Sequence, residues 1–262
     1  MTQIMGIVNL TPDSFFQPSR VSDASAAVGR IALMAEQGAD IIDLGAVSSR
    51  PGATYAPLEE EWRRLEPTLR LIAADRAAMP EFSIDTFRAE IVRRAFDTAG
   101  PFIVNDISAG EDDPGMLATV GRLGLSYVAM HKRGNPGTMD RLTGYGILNG
   151  GVTGALRRYF KEFDSKASDA GISDWILDPG LGFAKTDRQC LRILDRLEEI
   201  RVPGRRILIG AADKRFTRRL PGGTEEAHET AIRHGADIIR VHDVPAARAT
   251  LARVIQESRK QA

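Results

Sequence analysis

Eight short apolar runs, rich in β-branched residues, recur along the whole chain. They fall at 4–9 (IMGIVN), 40–45 (DIIDLG), 82–85 (FSID), 102–106 (FIVND), 127–131 (YVAMH), 175–180 (WILDPG), 207–214 (ILIGAADK) and 237–243 (DIIRVHD). Near-continuous apolar runs of this length suit strands covered on both faces of a parallel sheet. Between most of them the apolar residues change to helical spacing. Residues 23–38 place Val28, Ile31 and Ala35 on one stripe, with Asp23 as the expected N-cap and Gly38 as the stop. Residues 88–100 repeat that arrangement with Ile91, Ala95 and Gly100, and GADIID at 38–43 returns as GADIIR at 235–240. Eight strands alternating with helices predict an α/β fold, a (β/α)8 TIM barrel spanning 1–262 as one domain; an open doubly wound sheet is the runner-up.

The polar residues sharpen this picture. The apolar runs end in, or run into, Asn9, Asp43, Asp85, Asn105 with Asp106, His131, Asp178, Lys214, and Arg240 with His242. In a barrel the C-terminal strand ends converge on one mouth, where the active sites of this fold lie. Residues distant in sequence would therefore line one cup.

Composition narrows the chemistry. Lys+Arg and Asp+Glu balance at 35 each, which argues against a polyanion-coating surface and leaves room for a local anion pocket. No aromatic-basic interleaving points to nucleic acid, and no apolar run reaches the length of a membrane span. The lone cysteine, Cys190, shares a helical face with Ile193, Leu194 and Leu197 and reads as a packed core thiol. With one cysteine and no basic-then-apolar leader, the expected compartment is the cytoplasm. EEEWRRLE at 59–66 reads as a solvated helix face laced by i,i+4 pairs.

Several positions carry candidate chemistry. Arg50, before a Pro-Gly turn, reads either as a solvated loop cation or, beside Arg240 and His242, as part of a two-sided anion clamp, since the arginine fork matches phosphate oxygens. Asp85 and Asn105, at neighbouring strand ends, offer the acceptor and donor set that reads the edge of a flat heterocycle; the alternative for Asp85-Thr86 is capping of the next helix. Asp178 leads a Pro-Gly turn whose glycines, Gly180 and Gly182, let a ligand approach the backbone. The histidines His131 and His242 lack the company of a transition-metal set, and no structural zinc is expected. A hard cation is different: Mg²⁺ needs few protein ligands when the substrate brings phosphate oxygens, and Asn9 would suffice as its anchor.

In order, these segments resemble the dihydropteroate synthase family. NLTPDSFF, GADIIDLGAVSSRPGA, SIDTFRAE, VNDISAGE, AMHKRGNPGTM, ILDPGLGFAKT and GADIIRVHDV are similar to family segments that each follow a strand, and together they cover nearly the entire chain. The resemblance implies a barrel enzyme of folate biosynthesis, a homodimer and sulfonamide target. It would condense 6-hydroxymethyl-7,8-dihydropterin pyrophosphate with p-aminobenzoate to 7,8-dihydropteroate and pyrophosphate, through departure of pyrophosphate and attack on a pterin-stabilised cation. By matched position, Asn9, Arg50, Arg240 and His242 hold the pyrophosphate, and Asn9 holds Mg²⁺. Asp85, Asn105, Asp178 and Lys214 grip the pterin and Met130 packs on it. Ser49, Pro51, Phe183 and Arg215 border the aminobenzoate. Residues 10–17, with Thr11, Pro12, Asp13, Ser14 and Phe15, form a lid.

The chain departs from the family pattern after the seventh strand, where Ala212, Asp213 and Arg215 flank the retained Lys214; Arg215 either holds the aminobenzoate carboxylate by charge or fills its pocket. Asp213 is unfavourable there if it faces inward. Val47, FFQPSR at 15–20 and a short 217–223 also differ. Two alternatives to the synthase follow: a pterin-binding paralogue without condensation, and a pterin-dependent methyltransferase module, which would need neither the arginine clamp nor the lid.

Overall fold

The computed structural model describes residues 2–10, 20–47, 55–134, 137–146 and 150–261. All eight apolar runs form strands: β1 (Gln3–Asn9), β2 (Ile41–Gly45), β3 (Glu81–Asp85), β4 (Ile103–Asp106), β5 (Ser126–Met130), β6 (Trp175–Asp178), β7 (Arg206–Gly210) and β8 (Ile238–Val241). They pair in parallel in chain order, and β8 closes on β1. The helices wrap the outside: α1 (Arg20–Glu36), α2 (Leu58–Ala74), α3 (Ala89–Ala99), α4 (Met116–Leu123), α5 (Gly151–Asp169), α6 (Asp187–Leu194), α7 (Leu197–Ile200), α8 (Gly223–Arg233) and α9 (Val244–Gln261). The fold is a (β/α)8 barrel. None of the described helices is long and apolar enough to cross a membrane.

Two local expectations are corrected. Helix α1 begins three residues before Asp23, so Asp23 lies inside the first turn and is not its cap. The segment 59–66 is only partly solvated. Glu60 pairs with Arg63 and Arg64, and Glu59 with Arg94, at the surface. Glu61, however, is fully buried against Arg88. Helix α2 is thus tied to α3's N-terminal entry by charge, while its Leu65 and Leu69 join the core between the barrel and the helices.

Two-residue periodicity divides each strand between two cores. Ile4, Ile42, Phe82, Val104, Tyr127, Trp175, Ile207 and Ile239 face the helices. The alternate residues Met5, Ile41, Ile103, Val128, Ile176, Leu208 and Ile238 form a separate closed cluster, the plug inside the barrel. Each plug residue is at most 1% exposed, and each such burial stabilises by about 1.5–3 kcal/mol. Two residues further along the same strands, the inward face reads Ile7, Asp43, Asn105, Met130, Asp178, Gly210 and Arg240. The plug thus makes a dry floor, and the next inward layer is largely polar.

Candidate active site

Strand register sets the rim. Asn9, Gly45, Asp85 and Asn105 form one level row across β1 to β4. Met130 stands level with Asp178 across β5 and β6, and Gly210 with Arg240 across β7 and β8. Side chains expected to grip one heterocycle therefore share a narrow range of heights.

Asp43 lies one layer lower, two residues inside the end of β2, and has no solvent exposure. Its carboxylate accepts from the hydroxyl of Ser83 and, at 3.2 Å to each oxygen, from Nδ2 of Asn105. Arg240 donates to it through Nε at 2.7 Å and reaches Oδ2 of Asp85 through Nη2 at 3.1 Å. Arg240 thus sits between two carboxylates. Burial would lower its pKa, but Asp43 and Asp85 outweigh that and raise it, so it stays charged. Burial pushes Asp85 up to about 7 against the pull of Arg240, and Asp43 adds to the rise. Asp85 does not cap α3. Asp113 accepts from the backbone N–H of Ala89, and Thr86 Oγ1 from that of Arg88.

The opposite wall is built by the turn after β6. Asp178 Oδ1 accepts from the N–H of Gly180 at 2.7 Å, which folds the turn back over the strand end. Burial raises the Asp178 pKa, and the charge of Lys214 opposes the rise. Lys214 donates to the carbonyl of Leu181 at 2.5 Å and lies 5.1 Å from the Phe183 ring centroid. Met130 is 3% exposed on the neighbouring strand. The turn ends in a capping box, Thr186 with Gln189, that opens α6. Cys190, buried in that helix, accepts from the N–H of Gly182 through Sγ at 3.2 Å.

His131 has a structural role. Lys185 Nζ lies 2.9 Å from its Nδ1, and Lys185 also donates to the carbonyls of His131 and Phe183. Burial, with Lys185 next, drives the His131 pKa down to about 2, so the ring is neutral and Nδ1 accepts. Burial also lowers Lys185, to about 7.

Arg215, expected to border the aminobenzoate, is 69% exposed and donates through Nε to Asp187, the first residue of α6; Arg219 takes the other carboxylate oxygen. Asp213 is exposed, with its backbone in the left-handed region at φ 54, and so is not sealed in the interior. His242 is half-buried just beyond β8. Arg50, Ser49, Pro51, Thr11, Pro12, Asp13, Ser14 and Phe15 lie outside the described residues.

Among the described residues no three His, Cys, Asp or Glu side chains gather as a metal set. Asn9 makes no side-chain hydrogen bond to another described residue, and its Oδ1 lies 3.5 Å from where a Cβ on Gly45 would sit, on the side that Asp85 also borders. One amide oxygen fits a hard cation that takes its other ligands from a diphosphate and water.

Asp43 was expected only as a strand-end residue with no assigned role, and Ser83 and Lys185 carried no expectation. The signal for Asp43 was in the chain: it stands two residues after the plug residue Ile41, on the inward face of its strand.

A parallel barrel whose mouth combines acid, amide, lysine and arginine above an apolar floor matches the family model "Pterin binding enzyme" over residues 5–242. The dihydropteroate synthase of Synechocystis sp. is 40% identical over 257 residues, covering 94% of this chain and 86% of that protein. Three longer curated relatives are spanned over 34% to 51% of their length. Among solved structures, the Xanthomonas albilineans dihydropteroate synthase with 4-aminobenzoic acid superposes with a TM-score of 0.84 at 34% identity, covering 100% of this chain and 93% of that one. The Burkholderia cenocepacia enzyme complexed with 7,8-dihydropteroate gives 0.84 at 29% identity, covering 100% and 94%. The chain belongs to the dihydropteroate synthase family.

Proposed function

We propose that this chain condenses 6-hydroxymethyl-7,8-dihydropterin pyrophosphate with p-aminobenzoate, giving 7,8-dihydropteroate and pyrophosphate. The observation that carries this is the polar layer itself: Asn105, Asp178 and Arg240 each stand two residues above a plug residue, at the mouth of a barrel of this family. A flat, polar ring can rest on the dry floor and have its edge read from the side.

The chemistry asks little of a base. The aniline nitrogen is already neutral at pH 7, and neutral, buried His131 is not a candidate for proton transfer. What the reaction needs is stabilisation of the departing diphosphate. The bond between the pterin methylene carbon and the pyrophosphate oxygen breaks with both electrons leaving on oxygen. The aminobenzoate nitrogen then bonds to that carbon and releases a proton. In this reading Asp85, Asn105, Asp178 and Lys214 hold the pterin edge and Met130 packs against its face. Arg240 keeps Nη1 for the diphosphate while its other nitrogens hold the two carboxylates. Asn9 would hold Mg²⁺, which supplies charge neutralisation to the diphosphate. Phe183 and Arg215 border the aminobenzoate, and Arg215 exchanges Asp187 for the substrate carboxylate. Arg50, His242, Ser49, Pro51 and the lid residues 11–15 complete the site by motif. We place the reaction in the cytoplasm, in keeping with a sole cysteine that is a buried thiol.

The test is to supply the pterin pyrophosphate with Mg²⁺ and follow pyrophosphate and dihydropteroate, with and without p-aminobenzoate. Aminobenzoate-dependent formation of both products is expected. Pterin binding without either product would favour a non-condensing paralogue.

A further inference from the structure

We infer that Asp43 is the positioning residue of the pterin site: it fixes the Asn105 amide and the Arg240 guanidinium in the poses that present Asn105 Oδ1 and Arg240 Nη1 to substrate. This rests on the function proposed above and goes beyond the residues expected to touch the ligand.

Three features carry it. First, both Asp43 oxygens lie 3.2 Å from Asn105 Nδ2. A flipped amide would set its carbonyl oxygen against a buried carboxylate, so only one orientation is stable. Asn105 Oδ1 is the end left without a partner among the described residues, so Asn105 meets its ligand as an acceptor and selects an N–H there. Second, Arg240 is held to Asp43 through Nε and Nη2. Its Nη1 is left without a partner among the described residues. A fork gripped along one edge cannot swing, which removes rotamer entropy that an anion would otherwise have to overcome. Third, the Asp43 carboxylate has no solvent exposure and is met by the Ser83 hydroxyl, the Asn105 amide and the Arg240 guanidinium, and by no other described group. A carboxylate so enclosed acts on the substrate only through the groups that it holds. The plug beneath, with Ile41 two residues earlier in the same strand, keeps it from sinking.

The test is a pair of double-mutant cycles read by calorimetry, with Asp43→Asn combined with Asn105→Ala and with Arg240→Ala. Wild-type protein must first bind 6-hydroxymethylpterin; if it does not, the proposed function fails, whereas the contact can still be read by the resonance below. Asp43→Asn is expected to weaken 6-hydroxymethylpterin and its pyrophosphate roughly ten- to hundredfold, the range for losing a charge-assisted hydrogen bond. In the Asn105→Ala background it should add little to the loss of pterin affinity. In the Arg240→Ala background it should add little to the loss of the extra affinity that the pyrophosphate brings. Such non-additivity marks a residue that acts through its partners. Additive losses, or wild-type affinity in Asp43→Asn, would overturn the inference. If Asp43→Asn does not fold, the Asn105 side-chain NH₂ resonance of the wild-type protein reads the same contact. Two well-separated, slowly exchanging protons are expected, and a rapidly exchanging, solvent-like pair would overturn it.

Discussion

Gly180→Ala isolates the turn that carries the β6 side of the site. Gly180 has φ 64, and a Cβ there would lie 2.2 Å from the carbonyl oxygen of His131, with Met130 Cγ at 3.2 Å. The obstacle is backbone, so no side-chain rotation relieves it. The turn has to retreat until the contact exceeds 3.0 Å, a limit that Cβ atoms essentially never breach. That retreat pulls the Gly180 N–H from Asp178, a 2.7 Å bond. Left-handed backbone at alanine costs roughly 1 kcal/mol, and losing a hydrogen bond to a charged group costs about 1.5–3 kcal/mol. The sum is roughly 2.5–4 kcal/mol. Gly204→Ala is the control: φ there is 76 and nothing lies within 4 Å of its Cβ, so it carries the backbone cost alone. Gly182→Ala, at φ 82 with only Lys214 Cδ at 3.5 Å, is a second control inside the same turn. Urea unfolding should place Gly180→Ala about 1.5–3 kcal/mol below Gly204→Ala. Because Asp178 and Met130 move with the turn, pterin affinity should fall by roughly tenfold or more. Equal stability for the two variants, with unchanged pterin affinity, would refute the packing argument.

Two further outcomes follow from the charges in the mouth. Lys214→Met removes the donor to Leu181 and the cation beside Phe183. It should weaken pterin binding roughly tenfold or more while leaving the melting temperature unchanged or raised, because burial disfavours the ammonium and lowers its pKa; wild-type pterin affinity on calorimetry would contradict the gripping role. Asp85 has a folded pKa of about 7, above its ordinary value. The folded state therefore holds the proton more tightly, and the stability contributed by Asp85 is present below about pH 4 and lost as pH rises through 7. Asp85→Asn should gain stability relative to wild type across that window and level off above it; a difference that does not vary with pH would contradict the raised pKa.

Much of the site was legible because its logic is local to each strand. An apolar run that ends in Asn9, Asp85, Asn105 or Asp178 announces both a strand and a polar rim. The families of contacts that the sequence hid are those joining strands far apart in the chain. Arg240 was expected to face an anion, yet its Nε and Nη2 bind Asp43 and Asp85, 197 and 155 residues away. Glu61 sat in a run of charges that looked like solvated surface, and its burial depends on Arg88, which arrives from the next unit of the barrel. As a lone strand-end histidine, His131 reads more readily as structural than as catalytic, but nothing local says what holds it. Its neutrality is decided by burial and by Lys185, 54 residues on. Asp23 failed as a cap for a simpler reason: the residues before it, Arg20 to Ser22, continue the helix backwards with no breaker to stop it.

The most direct measurement is calorimetric titration of 6-hydroxymethylpterin and of its pyrophosphate, with Mg²⁺, into wild-type protein, Asp178→Asn and Arg240→Ala. Wild type should bind both and bind the pyrophosphate more tightly. Asp178→Asn should lose affinity for both ligands alike, and Arg240→Ala should lose mainly the extra affinity that the pyrophosphate brings. Equal losses for both ligands in Arg240→Ala, or undiminished pterin binding in Asp178→Asn, would contradict a mouth divided into a pterin-reading wall and a diphosphate clamp.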